Sequence, residues 1–383
     1  MAGAARAAGA AAVVAAAVWG AAGCQSAPAR PSAPATEAGS VPAPVEPRRP
    51  VPHGRGSTVP YDFNGDGHRD LVVDDLAKEE SERHGDDAGI AVVYGTDPAR
   101  ALDPAARQIL TPRHDAAPVR GERPATFEAE AACDLDGDGF GDLIVTTDPP
   151  YDGTGRPPVP LQVLFGGPGG LTTRAVVLGI PGRARYGDDW PDHPVCGDFD
   201  GDEATDLAVT ATGGRVSFLR GPFARSGAPR AAGAPLPGGG PVLAAPEPGA
   251  DVNGDGCDDL VVRESAAPGA RARLLLGGPR GPARPGGTYT YGPATSARPP
   301  RPPATALPGG GPAPVTDVLQ VADFTGDRVA DVAVRIHRDE TRDLVAVYAG
   351  TDTGVREKPL VRFTTAGWGR ARRAAPPAPS GTP

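Results

Sequence analysis

The sequence predicts an all-β protein, a β-propeller of four-stranded blades. Three observations lead there. One acidic loop pattern recurs five times along 383 residues. Each copy is flanked by short β-branched runs at similar distances. No stretch carries an extended 3.6-residue helical periodicity, so the strand-and-turn alternation is unopposed.

The first copy is "DFNGDGHRDLVV", starting at Asp62. The others are "DLDGDGFGDLIV" at Asp134, "DFDGDEATDLAV" at Asp198, "DVNGDGCDDLVV" at Asp251 and "DFTGDRVADVAV" at Asp323. Their starts lie 72, 64, 53 and 72 residues apart, a spacing that signals a repeat architecture. The rest of the unit repeats too. A semi-apolar run such as "FEAEAAC" or "VLQVA" precedes the loop, and a short strand such as "DLVV" follows it. A third strand ends in glycine ("AVVYG", "LQVLFGG", "VSFLRG", "ARLLLGG", "LVAVYAG"). A weaker fourth follows, as in "RAVVLG" and "PLVRF". Four strands with turns between them make one blade. Five repeats predict five blades, over about 57–118, 119–185, 186–240, 241–312 and 313–370. The alternative is six or seven, with degenerate blades hidden in the wider intervals.

Counting the first Asp of each loop as position 1, oxygen-bearing side chains stand at positions 1, 3, 5 and 9, and position 7 offers its backbone carbonyl. The first copy supplies Asp62, Asn64, Asp66 and Asp70 with the His68 carbonyl. The second supplies Asp134, Asp136, Asp138 and Asp142 with Phe140. The third supplies Asp198, Asp200, Asp202 and Asp206 with Ala204. The fourth supplies Asp251, Asn253, Asp255 and Asp259 with Cys257. The fifth supplies Asp323, Thr325, Asp327 and Asp331 with Val329. Hard oxygen donors in this number suit Ca²⁺, which takes six to eight oxygens, so three to five ions are expected. Position 12 is valine in every copy (Val73, Val145, Val209, Val262, Val334). An EF-hand needs a bidentate Glu there and a following helix, so that reading fails. Position 6 is glycine in three copies, but Glu203 and Arg328 in the third and fifth, where a positive φ would strain them. The competing explanation is a set of Asx-turns holding hairpins without metal.

The N-terminus carries Arg6, an apolar Ala/Val stretch to Trp19, and then "GAAGCQS". The stretch has the length of a signal-peptide core rather than a membrane span. The small residues before Cys24 resemble a bacterial lipobox, although Ala21 stands where that motif has Leu or Val. The resemblance implies cleavage after residue 23, lipidation of Cys24, and a place on the outer face of the cytoplasmic membrane. Simple secretion is the alternative. Residues 24–56 are rich in Pro and Ala and predict a disordered stalk of up to ~100 Å at ~3.1 Å per residue. Residues 371–383 read as a disordered tail.

The repeats resemble the FG-GAP/VCBS units of integrin α-subunit propellers and of many bacterial exported proteins, over roughly residues 57–370. "VLFGGPGGLTT" is most like the bacterial form. The literal Gly-Ala-Pro after the loop strand is absent from all five copies. The resemblance implies calcium on one face and partner contacts on the other. There the long loop 74–87 and the aromatics Tyr151, Tyr186 and Trp190, with His193, are candidate contacts, beside Tyr289 and Tyr291. The expected function is a non-catalytic adhesion or ligand-binding module at the cell surface.

 The partner expected on these grounds is an envelope protein or glycan, bound by a monomer that meets the membrane only through the lipid on Cys24. The alternatives are a surface enzyme of polysaccharide lyase or hydrolase type and a structural subunit of an envelope complex. No G-x-S-x-G or H-E-x-x-H motif occurs, so no catalytic residue is assigned. The net charge of −9 argues against nucleic acid, which needs a basic face. Of the cysteines beyond Cys24, a Cys196–Cys257 disulfide is expected, with Cys133–Cys196 as its rival.

Overall fold

The computed structural model describes residues 48–74, 76, 89–119, 121–148, 161–185, 187, 191–246, 250–265, 270–290, 315–339 and 342–368. They lie within one compact unit, Val45–Pro383. The fold is all-β. The first sheet holds β1 (Leu71–Val73), β2 (Ile90–Gly95) and β3 (Leu102–Leu110). The second holds β4 (Glu128–Cys133), β5 (Asp142–Thr146), β6 (Gln162–Leu164) and β7 (Val176–Val177). The third holds β8 (Val195–Gly197), β9 (Asp206–Ala211), β10 (Arg215–Arg220), β11 (Ala231–Ala232) and β12 (Leu236–Pro237). The fourth holds β13 (Val242–Ala244), β14 (Leu260–Arg263), β15 (Arg271–Leu276) and β16 (Arg284–Thr290). The fifth holds β17 (Val315–Ala322), β18 (Asp331–Asp339), β19 (Arg342–Tyr348) and β22 (Val361–Thr364), beside a small hairpin of β20 (Gly350–Thr351) and β21 (Gly354–Val355). Strands within each sheet pair antiparallel and in chain order, except that β12 pairs with β10 in the third sheet. No helix among the described residues is long and apolar enough to cross a membrane.

The inner strands β2, β5, β6 and β9 are short and buried on both faces, as buried sheets require. Each sheet shares a core with a neighbour. Phe63, Val92 and Tyr94 of the first repeat pack with Leu143 and Val145 of the second. Leu135 and Ile144 pack with Leu207, Val209 and Leu219 of the third. Phe199, Ala208 and Val216 pack with Leu243, Leu260 and Val262 of the fourth. Leu71 and Val93 of the first sheet also pack with Ala333, Val345 and Val347 of the last. Among the described residues no such cluster joins the fourth sheet to the fifth. Val252, Val318 and Val321, from those two repeats, are more than half exposed.

Two expectations change here. The disulfide joins Cys133 to Cys196, with Cα atoms 6.4 Å apart, and Cys257 is free. Cys133 ends β4 and Cys196 sits in β8, the first strands of adjacent sheets, whereas Cys257 is carried out on the fourth loop. The stalk also ends earlier than composition implies. Val51 packs against the core shared by the first two sheets, and the amides of Gly54, Arg55 and Gly56 donate to carbonyls of Asn64 and Gly65. Gly54 lies so close that a Cβ there would fall 1.9 Å from the Gly65 carbonyl carbon.

Candidate metal loops

All five loops fold by one hydrogen-bond scheme. The position-1 carboxylate accepts the amides of positions 4, 5 and 6. Asp62 Oδ1 takes Gly65 and Asp66 at 2.7 and 3.2 Å, and its Oδ2 takes Gly67 at 2.7 Å. Asp134, Asp198, Asp251 and Asp323 repeat this. The position-5 carboxylate accepts the amide of position 7, so Asp66, Asp138, Asp202, Asp255 and Asp327 take His68, Phe140, Ala204, Cys257 and Val329. To turn so many amides inward, positions 4 and 6 both adopt positive φ. Glycine does this without strain, and it fills position 4 in every copy: Gly65, Gly137, Gly201, Gly254 and Gly326. Glu203 and Arg328 sit at φ 68° and 69° at position 6, the strain their sequence positions predict.

Position 9 does different work. Asp70, buried completely, accepts Phe63 N at 2.9 Å on one oxygen and Gly95 N at 2.7 Å on the other. Asp142 takes Leu135 and Gly166, Asp259 takes Val252 and Gly277, and Asp331 takes Phe324 and Gly350. Asp206 takes Gly221 on one oxygen, while its Oδ2 is buried without a partner. This Asp therefore clips its loop to the end of the third strand. The glycine ending that strand allows the approach. A Cβ on Gly95, Gly166, Gly221, Gly277 or Gly350 would fall 2.0 to 2.6 Å from the position-8 carbonyl oxygen.

Position 3 carries an unpaired acceptor in three of the loops. Asn64 Oδ1, Asp136 Oδ1 and Asp200 Oδ1 are buried with no hydrogen-bond partner. A buried acceptor left unmade is costly, and a cation would satisfy it. Carboxylate oxygens of Asp134, Asp136 and Asp142 lie within 4.8 Å of one another, as do those of Asp198, Asp200 and Asp206. These groups could hold a metal ion. Burial, and then the neighbouring loop carboxylates, push Asp142 up to about 7; burial likewise takes Asp206 to about 7. Asp70 is raised well above the usual range, first by burial.

Arginines approach three loops. Arg225 reaches Asp136 at 2.6 Å and also pairs with Asp138. Arg220 lies 2.8 Å from Asp200, Arg230 pairs with Asp202, and Arg284 lies 2.8 Å from Asp255. The position-5 acids of these three loops thus have a protein cation beside them.

Of the expected contact residues, Cys24, Tyr151, Tyr186, Trp190 and Tyr291 lie outside the described residues, as do most of 74–87. His193 is half-buried at φ 50° and stands beside Glu130 and Asp192. Sequence reasoning missed Glu130, since nothing in "FEAEAAC" separates it from an ordinary strand residue. It also missed position 4, whose glycine was present in all five copies. No protein-family model matches the chain, and no curated protein matches it.

Proposed function

We propose that the chain is a calcium-stiffened β-propeller of FG-GAP/VCBS type, with five blades, serving as a non-catalytic binding module on the outer face of the cytoplasmic membrane. The observation that carries the calcium reading is the set of partnerless oxygens at position 3, in loops whose other oxygens already converge. Five oxygen-rich turns with one backbone scheme suit a hard, many-coordinate cation. Asn64, Asp136 and Asp200, with their loop partners at positions 1 and 5, would hold the ion. Five sheets, with the first and last sharing a core, fit a ring. The leader and Cys24 suit lipid anchorage, and the acidic charge suits a protein or glycan partner rather than nucleic acid.

Calcium binding adds stability as RT ln(1 + [L]/Kd) for each site. Titrating the chelator-stripped protein with Ca²⁺ by calorimetry, with melting followed in parallel, is expected to show three to five ions and a large rise in Tm. No uptake and no shift would reduce the loops to plain turns.

A further inference from the structure

We propose that Glu130, Asp192 and His193 form a separate site for a first-row transition-metal dication such as Zn²⁺. One donor atom from each residue lies within 4.8 Å of the other two. They come from two sheets. Glu130 is in β4, and Asp192 and His193 run into β8. All three lie four to six residues before a loop's first Asp (Asp134 or Asp198), Glu130 within β4 and the other two just before β8.

The backbone presents them specifically. The β4–β5 register shifts between Ala129 and Ala131, so Glu130 is the extra residue of a bulge. Bulges re-aim side chains. The same shift occurs in β17 between Val318 and Gln320, where the equivalent residue is Leu319, packed against the core. The bulge thus occurs in two of the five repeats, and the second repeat places a carboxylate on it. Asp192 is pinned to β9: its amide donates to Thr210 Oγ1 at 2.8 Å and its carbonyl accepts Thr210 N at 2.9 Å. Asp192 Oδ1 accepts the His193 amide at 2.7 Å.

The donor set decides the metal. The loops offer oxygen alone, which suits Ca²⁺. An imidazole with two carboxylates suits Zn²⁺ and its first-row neighbours. Asp74 and Glu128 add negative charge around Glu130, which favours a dication. Three protein ligands, all half-buried, leave a coordination position open to water or to a donor group on a partner, unlike a closed four-ligand structural site.

The test uses the full chain, saturated with Ca²⁺ and with free thiols alkylated so that cysteine cannot bind the probe. Co²⁺ is titrated by visible absorption and then displaced with Zn²⁺. One equivalent is expected. Glu130→Gln and His193→Asn should each weaken it on the order of 100-fold while calcium uptake stays unchanged. Asn tolerates the left-handed backbone at 193, so that variant is expected to fold, and Glu128→Gln should leave cobalt binding intact. No cobalt uptake by the parent protein, or uptake unaltered in both variants, overturns the site. Because the readout is independent of the loops, failure of the calcium reading would not imitate either result.

Discussion

The first and fourth loops have nearly the same sequence, "DFNGDGHRD" and "DVNGDGCDD", yet they sit in opposite environments. In the first, Asp62, Asn64 and Asp70 are almost wholly buried, and Phe63 at position 2 is fully buried in the core shared with the second sheet. Residues 52–57 cover it. Asn64 donates to the Pro52 carbonyl at 2.9 Å, and Ser57 Oγ donates to Asp62 at 2.5 Å. In the fourth, Val252 at position 2 is 56% exposed, and Arg284 sits at Asp255. The hydrogen bonds to positions 1, 5 and 9 are shared, so they belong to the nonapeptide, whereas position 3 differs: Asn253 Oδ1 accepts the Asp255 amide at 3.0 Å and Asn64 Oδ1 has no partner. Burial comes from the neighbouring sheet and the covering segment.

The largest expected effect follows from position 2. Phe63→Ala removes a fully buried ring and should cost about 3–5 kcal/mol. Val252→Ala should stay within about 0.5 kcal/mol, as surface changes do. Chemical denaturation of the chelator-treated protein measures both. Equal losses would mean that Val252 is as buried in solution as Phe63, and the contrast would disappear.

Position 9 sharpens the comparison. Asp70→Ala strands the buried amides of Phe63 and Gly95, for about 2–4 kcal/mol by the cost of unmet buried groups. Asp259→Ala strands the Gly277 amide equally, but the Val252 amide only in part, because that bond is half-exposed. Its loss should be about half as large in the same denaturation series.

Much of this was legible in the sequence. The alternation of "DLVV"-like and glycine-ended runs gave β1, β2, β5, β9, β14 and β19 to within two residues, because the apolar pattern and turn residues agree, while β18 runs five residues past "DVAV". The loops were legible because five copies share one spacing. Cover was not legible. Residues 52–57 read as stalk by composition, since Pro and Gly carry no periodicity, and they fold only against a loop already made. The disulfide turned on which strands are neighbours, which spacing alone does not encode. Glu130 depended on a bulge, a one-residue register shift with no composition of its own.

A smaller effect separates the second and third loops from their metal-bound forms. Asp142 and Asp206 stand at about 7 when folded, against an ordinary 3.8, chiefly through burial. Raised carboxyls bind more protons folded than unfolded. Their contribution is complete below the unfolded value and is lost as pH rises through about 7. The metal-free protein should therefore melt at lower temperature as pH climbs across that window. Metal binding needs ionised ligands, so the rise in Tm on adding Ca²⁺ should grow over the same range. Asp142→Asn should flatten the metal-free slope. A metal-free Tm that rises with pH would contradict the burial of these groups.

The smallest effect concerns the arginines. Arg225 and Arg284 are half-exposed ion-pair partners of Asp136, Asp138 and Asp255, and such pairs are worth about 0.2–1 kcal/mol. If the guanidinium competes with the cation, Arg284→Ala should tighten calcium binding at the fourth loop by roughly 2- to 5-fold. The first loop, covered by backbone and Ser57 instead, should be unchanged. Calorimetry on the single variant resolves the two, because only the weaker class of sites should move. Weakened binding would mean that Arg284 orients Asp255 for the ion. The difference between the two loops would then lie in how each aims its carboxylates, and charge competition would have no part in it.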